Sequence, residues 1–205
     1  MSVVITVVAD KFIALCADKQ MTNMQTGEKQ VCGTTKVEKW SSDIAVGHCG
    51  SVGLCETILG AVKGYVNSKG LECFTLEELA DCFGQAYYAA LDEYDDIPDN
   101  VVAKFVVAGK LPNGKLAAIQ VLDINGDADA EVIEATACPR TLIFAPDDIS
   151  DDACNQLLSK AIANTKKQKF YGQSLVETSL RKAVRYISEH SEYVGPKSDY
   201  VIIEA

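Results

Sequence analysis

Residues 2–20, SVVITVVADKFIALCADKQ, and residues 34–50, TTKVEKWSSDIAVGHCG, bound the stretch around which the rest of the chain is organised. Ser2 to Ala9 alternates Val, Ile and Thr as a strand does, Asp10-Lys11 reads as a tight turn, and Phe12 to Ala17 returns as a second apolar strand. The chain opens on a hairpin. Small second residues favour removal of the initiator methionine, and loss of Met1 leaves Ser2 with both a hydroxyl and a free α-amine. Such an amine titrates at about 7.7–8.0, near the ideal for a general base at neutral pH, so the residue carries its own nucleophile and base.

Three further residues fit that chemistry. Asp18 follows the second strand sixteen positions after Ser2, so the returning strand brings its carboxylate back beside the chain start. Lys36 opens the next extended segment, and its positive charge would favour the deprotonated forms of a nearby amine and hydroxyl. Gly50 ends the apolar run Ile44 to Cys49 just before a helical pattern, where an unobstructed backbone N–H can face an oxyanion at a strand-to-helix junction. Each residue also has a purely structural reading. Ser2 is then an ordinary second residue, Asp18 caps the loop after a strand, Lys36 is a solvated edge charge, and Gly50 permits a positive φ.

The order hydroxyl residue, strand, Ala17-Asp18, loop, Lys36-Val37, strand, Gly47-x-x-Gly50 turn, helix resembles a proteasome β-type or HslV-like subunit of the N-terminal nucleophile hydrolases. In that family the aspartate lies sixteen residues after the nucleophile, as Asp18 does here. The lysine comes two residues later than the family spacing, which a longer loop between Met21 and Thr34 absorbs, and from Lys36 to Gly50 the spacing matches again. The resemblance implies a ring-shaped homo-oligomer, an ATP-dependent unfoldase as partner, a polypeptide or small amide as substrate, and no cofactor.

Composition agrees with one soluble domain over residues 1–205, 48% hydrophobic and 23% charged, large enough for a substantial core. A net charge of −10 argues against a nucleic-acid backbone or an anionic membrane as partner. Without a membrane-length apolar run or a signal-type N-terminus, a cytoplasmic location is expected. Cys16, Cys49, Cys55, Cys82 and Cys154 sit among apolar-periodic residues and read as reduced core cysteines; no pair has C-x-x-C spacing, and only His48 and His190 are histidines, so no metal site is expected.

Past Gly50, Val52, Leu54, Cys55, Ile58, Leu59, Val62, Tyr65 and Val66 recur at helical spacing until Lys69-Gly70. A second helix is predicted from Thr75, with Glu78 completing a capping box, to the acidic residues and Pro98. Strands follow at Val101 to Ala108, Lys115 to Asp123, Glu131 to Ala135 and Thr141 to Ala145, read as a meander with turns at Pro112-Asn113-Gly114 and Asn125-Gly126. Two helices come next, from about Ser150 to Asn164 and from a Ser174 cap with Glu177 three residues on, then a strand from Tyr200 to Glu204. Lys166 to Gln173 is the most linker-like stretch. This segregated order predicts an α+β fold and matches a four-layer α/β/β/α sandwich, two antiparallel sheets covered by helix pairs.

Other motifs carry less. Cleavage at Gly33-Thr34 would expose a threonine but discard the first hairpin, and its sixteen-residue offset lands on Gly50. His48 and Cys49 point to opposite faces of a strand and do not form a nucleophile–base pair. Asp123 to Glu134 imitates a calcium loop but lacks glycine at its sixth position. After the last helix, active family members carry an aspartate and a serine that support the nucleophile; here Ser191 and Val194 stand in those places, with Glu192 or Ser191 as candidate substitutes, and no glycine-serine turn appears near Thr136 to Arg140. Two functions follow: a hydrolase with Ser2 as nucleophile and Asp18, Lys36 and Gly50 assisting, or a catalytically inactive β-like scaffold subunit.

Overall fold

A computed structural model describes residues 2–23, 26–31, 33–92, 102–124, 127–168 and 172–205. Eleven strands and four α-helices alternate in blocks among these residues. The first block holds β1 (Val4–Val8), β2 (Phe12–Asp18), β3 (Gln20–Thr22), β4 (Lys29–Val31), β5 (Val37–Lys39) and β6 (Ile44–Gly50). Helices α1 (Val52–Lys69) and α2 (Leu76–Asp92) follow, then β7 (Ala103–Lys110), β8 (Leu116–Ile124), β9 (Asp127–Glu134) and β10 (Arg140–Phe144), helices α3 (Asp151–Lys167) and α4 (Gly172–Ser188), and β11 (Ser198–Glu204). The chain is thus mixed αβ with antiparallel sheets. No helix among the described residues is long and apolar enough to cross a membrane.

The chain divides into two compact units, each drawn from three stretches of sequence. One comprises Met1–Val7, Ala14–Glu38 and Thr141–Ile202; the other comprises Val8–Ile13, Lys39–Arg140 and Ile203–Ala205.

In the second of these units, strands run in the order β6-β7-β8-β9. The ladder from β6 to β9 is antiparallel throughout, with His48 opposite Phe105, Phe105 opposite Val121 and Ile119 opposite Val132. Helices α1 and α2 pack on each other and on β7. Their apolar stripes, Leu54, Cys55, Ile58, Leu59, Val62 and Val66 on α1 and Leu76, Leu79, Phe83 and Tyr87 on α2, are buried in one cluster with Phe105 and Ile119. Each such large side chain contributes about 1.5–3 kcal/mol by leaving water. Tyr65, expected in the stripe, lies half exposed against the edge of Phe74 instead. The predicted capping box forms: Thr75 N–H donates to Glu78 Oε2 (2.8 Å) and Glu78 N–H to Thr75 Oγ1 (3.2 Å). That pairing also holds the Glu78 carboxyl below its usual range, chiefly through the Thr75 backbone bond.

In the other unit the sheet order is β10-β1-β2-β11, with α3 and α4 packed together. Residues of β1 and β2 are buried at consecutive positions, so both faces of these strands are covered. Helix α3 starts where expected, with Ser150 capping it by accepting from Ala153 N–H, but it continues to Lys167.

Three local expectations are corrected. The fourth strand of the expected meander, β10, leaves its neighbours and pairs with β1. The loop between Met21 and Thr34 contains the small antiparallel pair β3–β4, Gln20 opposite Val31. Helix α4 begins at Gly172, so Ser174 lies inside its first turn rather than capping it. The Asn125-Gly126 turn and the stretch around Pro98 lie outside the described residues.

Candidate active site

Ser2, Asp18 and Lys36 meet within one unit, and the local chain explains how. The turn bond Ala9 N–H to Phe12 O (2.9 Å) closes the hairpin, and Asp18 N–H donates to Val3 O (3.3 Å), which sets the end of β2 beside the start of β1. Lys36 reaches in from just before β5. All three side chains are buried: Ser2 is 6%, Asp18 1% and Lys36 5% exposed. Lys36 is not the solvated edge charge of the structural reading.

The Lys36 Nζ donates to Ser2 Oγ (2.7 Å), to Asp18 Oδ1 (3.1 Å) and to Gln20 O (2.6 Å). All three donors of an ammonium group are therefore engaged. Asp18 is held as firmly: its Oδ1 also accepts from Val3 N–H (3.1 Å), and its Oδ2 from Gln20 N–H (2.8 Å) and Gly195 N–H (3.3 Å). Charge and hydrogen bonding thus compensate the burial of both ions, the condition under which a buried pair survives. Chemically, the arrangement points a positive charge at a hydroxyl oxygen in a site largely shut off from water. A negative charge developing on that oxygen would be stabilised there far more than in solvent.

Gly50 lies in the other unit, at the end of β6. Its φ of 128° is one that L side chains rarely adopt, and a Cβ added there would stand 1.9 Å from Val102 O. The residue has to be glycine for backbone reasons alone.

Two contributors escaped the sequence reading. Gln20 supplies a backbone N–H to Asp18 and a carbonyl to Lys36. Gly195 donates to Asp18 from 177 residues away, a separation that no local pattern reveals. Between them, a groove of about 240 Å³ is lined by Gln20, Gly195, Lys29, Val31 and Lys197, among others. The late loop also answers the question of substitutes. Ser191 Oγ donates not to Ser2 but to Asp148 Oδ1 (2.8 Å), and Val194 is buried.

The chain's backbone matches solved structures at low identity. Anbu (ancestral beta-subunit) from Yersinia bercovieri superposes with a TM-score of 0.68 at 12% identity, over 98% of this chain and 81% of that one. Anbu from Hyphomicrobium sp. strain MC1 gives 0.68 at 12%, over 98% and 82%, and eukaryotic HslV from Trypanosoma brucei gives 0.55 at 13%, over 99% of both. At such identity the likeness shows the fold: it is proteasome-like. No family model matches the chain, and no curated protein matches it.

Proposed function

We propose that the chain is a proteasome-like N-terminal nucleophile hydrolase that cleaves amide bonds in polypeptides or small amides. The observation that carries this reading is the 2.7 Å contact between the Lys36 ammonium and Ser2 Oγ inside a buried cluster. After removal of Met1, Ser2 Oγ attacks the amide carbonyl and passes its proton to the Ser2 α-amine. Lys36 steadies the developing charge on Oγ, Asp18 holds Lys36, and Gly50 N–H is assigned to the oxyanion of the tetrahedral intermediate. The C–N bond then breaks, the leaving amine takes the proton from the α-amine, and an acyl ester remains on Ser2. Water, deprotonated by the same amine, hydrolyses that ester. The groove beside Gln20 and Gly195 is a natural place for the chain of a substrate to lie.

With this function go a single domain in a four-layer α/β/β/α sandwich, a cytoplasmic location, ring-shaped homo-oligomers and an ATP-dependent unfoldase as partner. The proteasome-like fold supports each of these as an expectation. A second reading, a catalytically inactive scaffold subunit, is favoured by one observation: Val194 is buried where the resemblance implies a supporting hydroxyl.

Intact mass of the untagged protein, before and after a hydroxyl-directed β-lactone electrophile, separates the two. Loss of Met1 and a single adduct mapping to Ser2, absent in Lys36→Ala, is the expected result. Retained Met1 without an adduct would overturn the catalytic reading in favour of the scaffold.

A further inference from the structure

The loop from Ser191 to Gly195 is tied down at both ends. At its far end Gly195 N–H reaches Asp18 Oδ2, and a Cβ at this glycine would stand 2.8 Å from Gln20 Cβ, so the backbone passes directly over the residue whose carbonyl accepts from Lys36. Its near end is held by a residue outside the cluster. Asp148, in the turn leading into α3, accepts Ser191 O–H on Oδ1 (2.8 Å) and Glu192 N–H on Oδ2 (2.9 Å). Ser191 Oγ in turn accepts Tyr193 N–H (3.1 Å), and Gln20 Nε2 donates to Glu192 O (2.9 Å).

We propose that Asp148 is a positioning residue for the Ser2 site, clamping the Ser191–Gly195 loop so that Gly195 N–H meets Asp18. Both carboxylate oxygens are used on adjacent residues of the loop, which fixes its orientation as well as its position. The bond at the other end is the longest that Asp18 receives across the unit, so it is the first to fail when the loop relaxes. Loss of that donor leaves Asp18 Oδ2 with Gln20 N–H alone, which loosens the orientation of the carboxylate and of the Lys36 ammonium bonded to it. The resemblance implies an aspartate at position 191; in this chain a hydroxyl stands there, and the carboxylate that it meets comes from Asp148.

The inference rests on the reading of Ser2 as nucleophile, and two readouts keep their failures apart. One is amide hydrogen exchange of the peptide covering residues 191–195 in the full chain. The other is the rate at which the β-lactone modifies Ser2, with the melting temperature measured alongside. Asp148→Asn, Asp148→Ala and Ser191→Ala should speed exchange in the loop and slow modification about 10–100-fold, the cost expected of a small misplacement of reacting groups. Asp147→Ala, the neighbouring exposed carboxylate, should change neither. Asp148→Ser and Ser191→Asp should each be impaired, while the double exchange Asp148→Ser/Ser191→Asp restores both loop protection and modification towards the parent. A general loss of stability would not produce that recovery.

Unchanged loop exchange in Asp148→Ala overturns the proposal, and so does faster exchange with an unaltered modification rate. If Asp148→Ala does not fold, Asp148→Asn and the double exchange decide by the same criteria. If the parent protein takes no adduct, the nucleophile reading fails, and loop exchange alone then judges the clamp: unchanged protection in Asp148→Asn sinks it, and lost protection that returns in the double exchange upholds it.

Discussion

Lys36 Nζ lies 2.7 Å from Ser2 Oγ, and the same nitrogen lies 3.1 Å from Asp18 Oδ1. One buried ammonium thus joins residues 34 and 18 positions away in sequence. Because it faces a hydroxyl with one proton and a carboxylate with another, its charge is shared between a reacting group and a fixed counter-ion. Lys36→Ala should therefore slow Ser2 modification by about two orders of magnitude or more, as loss of a fixed electrostatic stabiliser does. Adduct formation followed by intact mass measures it.

Asp18→Ala should destabilise the fold by about 3–5 kcal/mol, because it leaves a buried ammonium without its counter-charge and orphans backbone donors. Urea unfolding gives the number. A midpoint within error of the parent would mean that the cluster contributes nothing to stability.

Gly50→Ala combines a positive φ, a strain of about 1–3 kcal/mol, with a Cβ driven to 1.9 Å from Val102 O. It should lower stability strongly whatever its effect on chemistry. Gly64→Ala is its control: Gly64 lies exposed inside α1 with open space where a Cβ would go. That substitution should raise stability by about 0.5–1 kcal/mol through helix propensity. Thermal melts of the two variants should move in opposite directions.

The capping box at the start of α2 has a pH signature. The Glu78 carboxyl is held below its usual range by the Thr75 bonds, so its contribution is complete above the carboxyl's ordinary value and is lost as pH falls through the depressed one. Thr75→Ala should cost about 0.5–2 kcal/mol at neutral pH. The pH signature is read instead from Glu78→Gln: melts of parent and variant should differ at pH 7 and converge in acid, where the parent's glutamate is protonated too.

The alkaline side is set by buried neutral acids. Burial pushes the Cys16 thiol up to about 12 from 9.0, Cys154 to about 11 and the Tyr200 hydroxyl to about 12 from 10.0. Each raised group adds stability that is complete below the unfolded value and is lost as pH rises through the folded one, so stability should decline from about pH 9. Cys16→Ala should flatten that decline. In alkylation at pH 8 with peptide mapping, exposed Cys73 and Cys138 should label in the folded protein, while Cys16 and Cys154 label only after unfolding.

Much of the candidate site was legible because it is built from short-range rules. A hairpin of fixed length returns Asp18 to Ser2, and a capping box or an apolar stripe announces itself within a few residues. The late loop was not legible, since Ser191 reads as a missing aspartate until its partner is known. The arm β3–β4 was also missed, because its strands are only three residues long and too exposed to alternate.

The sequence by itself determined the order of the helices and of the strands other than β3 and β4, the buried face of α1 apart from Tyr65, and the pairing of the first two strands, all properties of local periodicity and turn chemistry. Only the tertiary structure decided that β10 joins β1, that Lys36 spends all three donors inside the cluster, that Gly195 donates to Asp18, and that Asp148 accepts from Ser191. Those contacts join residues up to 177 positions apart, where the pairing of a donor with an acceptor depends on packing that no window of sequence contains.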